Sequence, residues 1–185
     1  MQNYLSDQIQ VPHIDTKAPE FDAAEKAVQA EIDRIYNIKG DESVDHIHKK
    51  LYHIMWDYVG MARNEAGLKK ALAMLKDIRK EFNEHVRIPG DKEGLNTELD
   101  KAIHLRDFIT MGELIAYDAL ERNESCGGHF REESQTEEGE AKRDDEHYMY
   151  VACWQYQGSD DVAPTLLKEP LNYQYIKVQV RNYKK

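Results

Sequence analysis

Apolar side chains recur at intervals of three and four residues from residue 19 to about residue 122. This spacing predicts amphipathic helices, because it places the apolar side chains on one face. Four such stretches follow one another. Their expected inward-facing side chains are Phe21, Ala24, Val28, Ile32 and Ile35 in the first; Val44, Ile47, Leu51, Ile54, Tyr58 and Met61 in the second; Leu68, Leu72, Leu75, Ile78, Phe82 and Val86 in the third; and Leu99, Ile103, Ile109, Gly112, Ala116 and Leu120 in the fourth. The connections are short, so the sequence predicts a mainly α protein, an antiparallel three- to four-helix bundle.

Residues that favour helix ends divide these stretches. Pro19 can open the first helix and Gly40 can end it, while Ser43 can cap the second. The third begins after Arg63 and Asn64 and stops before Pro89 and Gly90. Asn96 or Thr97 caps the fourth, which runs to about Arg122.

Two helices carry more apolar surface than one core needs. Tyr52 and Trp56 form a second stripe beside the main one on the second helix, and this stripe is a candidate contact with a partner. Phe108, Met111 and Ile115 widen the apolar face of the fourth helix, which predicts that this helix is packed on two sides.

The pattern changes after Asn123, where the helical spacing ends. Residues 132–145 are polar and mostly charged, and residues 148–156 are rich in aromatic and β-branched side chains, which predicts a strand. A second strand is predicted over residues 173–180. We therefore expect three parts: an extended lead-in over residues 1–18, a helical bundle over residues 19–123, and a glycine-containing acidic loop with a short β tail over residues 124–185, packed on the bundle.

Charge and composition exclude several classes of function. The 185 residues include 35 acidic and 25 basic ones, a formal charge of −10, which disfavours binding to nucleic acids and to anionic lipid. The two cysteines, Cys126 and Cys153, have no metal-type spacing and form no disulfide framework. No apolar run reaches the length of a membrane span, so the chain alone is predicted to be cytosolic.

No catalytic, cofactor or metal site emerges from the motifs. The chain has no glycine-rich phosphate loop, and its only glycine pair, Gly127–Gly128, follows a helix where such a loop would open one. His46 and His48 are two residues apart and therefore point to different faces of a helix, which does not suit chelation. Cys126 and His129 could pair as a thiol and its base, but no oxyanion machinery accompanies them.

One segment is more specific than generic helical sequence. Residues 119–133, with Glu124–Ser125–Cys126–Gly127–Gly128–His129 at their centre, and residues 142–146 resemble the pattern that closes the flavoprotein subunits of succinate dehydrogenases and fumarate reductases. L-Aspartate oxidase is a relative with a similar turn. Residues 53–61, followed by Arg63, resemble the helix with the M-W-x-x-x-G pattern of the same domain. Cys126 and Gly128 replace the arginine and alanine of the commoner turn, which suits the menaquinone-linked branch with a diheme-type membrane anchor.

The resemblance implies a structural role inside a larger oxidoreductase. The full-length enzyme would interconvert succinate and fumarate through FAD in respiration and the tricarboxylic acid cycle. It would lie at the cytoplasmic face of the inner membrane with an iron–sulfur subunit and a quinone-linked anchor. The flavin, the covalent attachment and the proton-shuttling arginine precede this region in the family, so we expect no catalytic or cofactor-binding residue and no activity here. The residues expected to dock against the upstream flavin-binding domain are Gly127, Gly128, His129, Arg131, Arg143 and Asp144.

Two other readings remain open. A free-standing helical interaction module of spectrin-repeat type would have a natural start and a self-sufficient surface. Tyr4 to Ile9 instead resemble the tail of an element whose beginning is missing, so we expect this chain to be part of a longer polypeptide. A small independent hydrolase or metal enzyme would need a convergent site that the sequence does not supply.

Overall fold

A computed structural model describes residues 15–179. This part of the chain contains five helices: α1 (Pro19–Tyr36), α2 (Val44–Val59), α3 (Glu65–His85), α4 (Thr97–Glu121) and α5 (Asp145–Tyr148). Its strands are β1 (Glu42–Ser43), β2 (Ala62–Arg63), β3 (Val86–Arg87), β4 (Phe130–Arg131), β5 (Tyr150–Gln155) and β6 (Thr165–Pro170). The predicted mainly α bundle with a small β tail is confirmed.

Ser43 and Asn96 cap α2 and α4 as predicted, and Asn64 caps α3, for which no cap was predicted. The Ser43 side chain accepts a hydrogen bond from the backbone N–H of His46, and Asn64 accepts one from Gly67. Asn96, the first of the two residues considered, caps α4 by accepting bonds from two backbone N–H groups. These side chains satisfy amide groups that have no partner within the first helical turn. Helix α1 ends at Tyr36, so Gly40 lies in the connection that follows and does not end the helix.

Helices α2, α3 and α4 pack against one another around the core. The predicted inward residues of α3 are all buried, and so are those of α2 up to Ile54. The prediction for α1 is wrong over most of its length, because Phe21 and Val28 are exposed and only Ile35 is fully buried. Helix α1 contacts mainly α4, so much of its apolar stripe has no helix to pack against.

Two short parallel ladders close opposite ends of the bundle. Strand β1, just before α2, pairs with β3, just after α3. Strand β2, between α2 and α3, pairs with β4, which follows α4. Because α2 and α3 are connected end to end and antiparallel, the β2–β4 ladder lies at the end where α2 finishes, α3 begins and α4 finishes. This end of the bundle brings the residues after α4 to the residues after α2.

The β tail is an antiparallel hairpin of β5 and β6, in which Tyr150 lies opposite Pro170. The strand predicted over residues 148–156 is thus present, whereas the one predicted over residues 173–180 is wrong for its described residues, 173–179, which form no strand. The partner of β5 is instead Thr165–Pro170, which lies between the two predicted strands in the sequence. Trp154 Nε1 donates to Asp118 (2.9 Å), which fastens the hairpin to α4.

Among residues 15–179 no helix is long and apolar enough to cross a bilayer. The prediction for Tyr4 to Ile9 lies outside the described residues, as does Val180 of the predicted second strand. The boundaries expected for the three parts of the chain stay predictions.

Candidate docking surface at the end of the bundle

The segment after α4 turns back on itself through a two-residue hairpin. Cys126 and His129 exchange backbone hydrogen bonds of 2.9 and 3.1 Å, with Gly127 and Gly128 at the tip. Gly127 has a φ of +60°, a conformation that a residue with a Cβ adopts only with strain. A Cβ built on either glycine meets no atom within 4 Å, so the tip faces open space. The two glycines are therefore placed where another surface can approach the backbone closely.

Arg131 lies inside the domain, with only 1% of its surface exposed. Its guanidinium donates to the carbonyl of Ala119 at 2.7 Å and to that of Leu120 at 3.2 Å, in the last turn of α4. It also donates to Glu133 at 3.1 Å. The carbonyls of a last helical turn have no partner in their own helix, and a cation there is favoured by the helix dipole. Arg131 is thus committed to closing α4, and any part that it plays in docking is to hold the hairpin in place.

Glu133 links this arginine to the start of α3. One of its oxygens accepts from the backbone N–H of Glu65 at 2.5 Å, and the other accepts from Arg131. Burial raises the pKa of Glu133, but the backbone N–H of Glu65 and the nearby guanidinium outweigh it, so the pKa lies below its usual value. The carboxylate joins the ends of two helices and the β4 strand.

A second arginine fixes the chain on the other side of the hairpin. Arg122 donates to the buried carboxylate of Glu124 (2.8 Å) and to the carbonyls of Tyr148 (2.8 Å) and Tyr150 (3.0 Å). The second oxygen of Glu124 accepts from the backbone N–H of Asp144 (2.9 Å). Both terminal nitrogens of Arg122 and both carboxylate oxygens of Glu124 thus have partners, as buried polar groups require.

His129 is half-buried beside three arginines. Its Nε2 lies 2.7 Å from the carbonyl of Arg122, so Nε2 carries the hydrogen and donates it. Burial lowers the pKa of His129; the bond to the carbonyl raises it, and the charges of Arg63, Arg131 and Arg122 lower it further. The net direction is downward, which keeps the imidazole neutral over a wider pH range.

Arg143 and Asp144, which are also expected to dock, make contacts within the domain. Arg143 donates to Asp145 at 3.0 Å through Nε and to the carbonyl of Gln179 at 3.1 Å. The Asp144 side chain accepts from the backbone N–H of His147 and caps α5. The structure thus brings Gly127, Gly128 and His129 together at an open tip. Arg143 and Asp144, like Arg131, serve the fold around that tip, and the docking role of all six residues stays a prediction.

Arg63 was singled out from the sequence only as part of a motif. In strand β2 it lies opposite Arg131, half-buried, and its Nε is buried without a hydrogen-bond partner among residues 15–179. Burial lowers the pKa of the Arg63 guanidinium and so does the charge of Arg131, opposed only by Asp118. Burial cannot be read from one arginine in a sequence, which is why this residue was not a candidate.

An apolar strip runs along α2 and α4 and comprises Tyr52, Trp56, Phe108, Met111 and Ile115. All five side chains are exposed, and Trp56 is 71% exposed. The rings of Tyr52 and Trp56 stack at 6.0 Å, and His48 on α2 lies 5.8 Å from Phe108 on α4, so the two helices present one continuous face. Helix α4 packs against α1, α2 and α3, but Phe108, Met111 and Ile115, which widen its apolar face, are not covered within the described chain. Apolar patches of this kind mark interaction sites.

Clusters of metal-type side chains and glycine-rich loops are the features that would indicate a metal or nucleotide site in the described residues. No group of three or more metal-type side chains occurs in the described part of the chain. Its parallel strands are two residues long, and its only glycine pair forms a hairpin after a helix. Residues 15–179 thus contain no unit of strand, glycine-rich loop and helix of the kind that opens onto the pyrophosphate of a dinucleotide.

Comparison with known proteins decides the family. The family model described as "Fumarate reductase flavoprotein C-term" matches residues 48–183, which is most of the chain. The chain belongs to the fumarate reductase flavoprotein C-terminal family. An FAD-dependent oxidoreductase of Methanocaldococcus jannaschii, whose name calls it uncharacterized, is 34% identical over 110 residues, 60% of this chain and 19% of that protein. The fumarate reductase flavoprotein subunit of Haemophilus influenzae is 26% identical over 128 residues, 69% of this chain and 20% of its own length.

Solved structures show the same fold for this family domain. The Sdh1 complex of Mycobacterium smegmatis in its apo form matches with a TM-score of 0.73 at 24% identity, over 92% of this chain and 27% of that one. The fumarate reductase flavoprotein C-terminal domain described here thus spans about a fifth of the length of the curated relatives that it matches.

Proposed function

We propose that this chain is the structural C-terminal domain of a flavoprotein subunit that interconverts succinate and fumarate. The observation that carries the proposal is the match of residues 48–183 to the C-terminal part of the fumarate reductase flavoproteins. The chemistry of such a subunit belongs to the four-fifths of the protein that this chain does not span. The role proposed for this domain is to dock on the flavin-binding domain and complete the subunit.

The surface supports a docking role. The apolar strip exposes five large side chains to water, and removing such area from water is favourable by about 25 cal/mol per Å². The glycine tip of the hairpin lies at the end of the bundle where α2 finishes, beside β2. A free-standing module would be expected to cover or avoid such a face.

FAD is the cofactor proposed for the full-length subunit, held outside this domain. When bound there, it would accept a hydride from succinate or deliver one to fumarate. The domain's own residues hold the backbone of the hairpin rigid through Arg131 and Arg122 and present an apolar face to the flavin-binding domain. The further partners proposed are an iron–sulfur subunit and a quinone-linked anchor, with menaquinone as the quinone and the cytoplasmic face of the membrane as the location.

Fumarate reduction by a reduced viologen dye tests the proposal. It is measured on this chain alone and on the intact polypeptide that carries it, with succinate oxidation and L-aspartate oxidation as additional reactions. We expect turnover of fumarate and succinate by the intact polypeptide only. Turnover by this chain alone would contradict the assignment, and oxidation of L-aspartate without succinate would move it to the aspartate oxidase relatives. No turnover in any of the three reactions, together with no association between this chain and the flavin-binding domain, would favour the free-standing interaction module.

A further inference from the structure

Arg63 differs from the other arginines of residues 15–179. Six of them form an ion pair with a carboxylate: Arg34, Arg79, Arg106, Arg122, Arg131 and Arg143. Arg87 has no carboxylate partner within this range, but it is exposed, and water can hydrate its guanidinium. Arg63 also has no carboxylate partner in this part of the chain, yet it is half-buried and its Nε is shielded from water.

This arrangement is costly for the domain on its own. A guanidinium carries five N–H donors and no acceptor, and the Nε donor of Arg63, buried without a partner in the described chain, costs the free energy of its desolvation. Strand β2 also holds Arg63 beside Arg131, whose positive charge repels it. Asp118 offers attraction at longer range, but its side chain already accepts from Trp154. The site therefore has a fixed positive charge and no acceptor within the described chain.

The position of Arg63 shows from which direction an acceptor can arrive. Met61, two residues earlier, is 85% exposed, and β4, which pairs with β2, directly follows the open glycine tip of the hairpin. The apolar strip lies on α2 and α4, the two helices that finish at this end. An incoming surface that covers the tip of the hairpin therefore lies beside the β2–β4 ladder, which contains Arg63.

We propose that Arg63 is the charged anchor of this docking surface and that it receives a carboxylate of the upstream flavin-binding domain. This inference rests on the proposed function, because that function supplies the occupant. An arginine can bind a carboxylate through two parallel N–H···O bonds, which fixes orientation as well as adding energy. Covering the apolar strip would remove water from the pair, and a desolvated charge pair holds an interface far more strongly than one at its rim.

The test compares Arg63→Gln with Arg87→Gln in the intact polypeptide. The control removes an arginine that also lacks a carboxylate partner within residues 15–179, from the ladder at the opposite end of the bundle. Amide hydrogen exchange of residues 60–63 and 126–130 is measured in this chain and in the intact polypeptide. We expect slower exchange in the intact polypeptide, and roughly 30-fold faster exchange for Arg63→Gln, the effect typical of losing one partner of a buried charge pair. Arg87→Gln should stay within about twofold of the parent.

A second measurement separates docking from folding. In this chain alone, Arg63→Gln should leave the melting temperature unchanged or raise it, because the variant removes repulsion and an unpaired charge. A lower melting temperature would overturn the proposal, since the guanidinium would then be held within this chain. Loss of self-association on Arg63→Gln in sedimentation experiments would overturn it too, in favour of a second copy as the occupant.

These measurements distinguish failure of the Arg63 anchor from failure of the proposed function. Slower exchange in the intact polypeptide with equal behaviour of Arg63→Gln and Arg87→Gln would reject the anchor and keep the proposed function. Equal exchange in the chain and the intact polypeptide, together with no succinate or fumarate turnover, would reject both.

Discussion

Three arginine residues at the β2–β4 end of the bundle differ in how deeply they are buried and in which groups they bind. Arg131 is enclosed and bonded to carbonyls of α4, whereas Arg143 is partly exposed and paired with Asp145. Arg63 is half-buried without an acceptor in the described chain. Arg131 and Arg143 follow the glycine pair in the sequence, and Arg63 follows the M-W-x-x-x-G pattern. Only the fold distinguishes a helix-closing arginine from a surface ion pair.

Replacing Arg131 by methionine should destabilise the chain by about 2–3 kcal/mol. The change leaves the carbonyls of Ala119 and Leu120 and the carboxylate of Glu133 without their charged donor. Arg131→Lys should recover only part of the loss, because an ammonium cannot reproduce the planar fork. Urea unfolding followed by circular dichroism measures the effect.

The matched control for this prediction is Arg143→Met. Its ion pair with Asp145 is partly exposed, and such pairs contribute at most about 1 kcal/mol. Equal losses in the free energy of unfolding for Arg131→Met and Arg143→Met would show that the buried contacts with α4 contribute no more to stability than a surface ion pair.

His129 should make the stability of the chain depend on pH just below neutrality. Its folded pKa is lowered, so below the ordinary histidine pKa of about 6.5 the unfolded chain binds a proton that the folded chain does not. Stability contributed in this way is fully present above pH 6.5 and is lost as the pH falls through the folded pKa. His129→Gln should lose less stability between pH 7.5 and pH 5.5 than the parent.

Unfolding curves of both proteins at several pH values check this result. The lowered pKa values of carboxylates such as Glu31, Glu65 and Glu133 act at lower pH and are common to both. Parallel curves across the whole range from pH 7.5 to pH 5.5 would show that the His129 environment does not disfavour its charge.

At the scale of elements, the helices could be predicted because their signals are local. Ser43, Asn64 and Asn96 cap helices where short polar side chains precede an apolar period. The α1 stripe was misjudged because periodicity shows that a helix has an apolar face and not that a neighbour covers it. Strand β6 was missed because Thr165–Pro170 contains one β-branched residue, Thr165, and no aromatic side chain, and it ends in a proline. Its pairing with β5 stabilises it as a strand.

The candidate site was predictable only in part for a similar reason. The glycine pair could be predicted from its turn chemistry, and the structure places it at an open tip. The β2–β4 pairing joins residues that are 68 positions apart, as the contact of Asn64 with Glu132 shows. Nothing in the local sequence of Arg63 indicates that pairing, so neither its burial nor its missing acceptor could be derived beforehand.

Two glycine-to-alanine changes at close contacts should differ in their effect on stability: Gly112→Ala should be tolerated, and Gly40→Ala should destabilise the chain. At Gly112, where α4 meets α2, an added Cβ lies 3.0 Å from the Sδ of Met55, the flexible end of a side chain. The shift of Met55 is offset by the gain in helix propensity of about 1 kcal/mol, so Gly112→Ala should change stability by less than about 1 kcal/mol. At Gly40 the added Cβ would lie 1.9 Å from the backbone oxygen of His85, which cannot move alone. Gly40→Ala should cost at least about 2 kcal/mol.

Thermal melting of the two alanine variants beside the parent tests this contrast. A Gly40→Ala protein as stable as the parent would mean that the connection between α1 and α2 does not approach α3 closely in solution. Gly112→Val serves as the size control, because a branched side chain must displace Leu51 and Leu75 as well as Met55 and should be clearly destabilising.

At the scale of the whole molecule, the segment between the bundle and the β tail acts as part of the bundle. Ser125 is fully buried and exchanges hydrogen bonds with the backbone of Arg131, and Glu124 binds both Arg122 and the N–H of Asp144. The hairpin of β5 and β6 is attached through Trp154 and Lys168 and through the carbonyl of Tyr150, which accepts from Arg122. The boundary predicted at residue 123 thus cuts through contacts that hold the end of α4.

Shortened chains should show that residues 124–149 stabilise the end of α4 more than the β5–β6 hairpin does. A chain ending at residue 149 keeps the buried contacts of Arg131 and Glu124, whereas a chain ending at residue 123 loses them and leaves the last carbonyls of α4 without their cation. Both should remain helical, because the core lies almost entirely within residues 35–119. We expect most of the loss in melting temperature to occur between these two lengths, with faster amide exchange at residues 116–121 in the shorter chain only. If the chain ending at residue 149 melted as low as the shorter one, the β5–β6 hairpin would be the element that stabilises α4, and residues 124–149 would be a connection without a structural task.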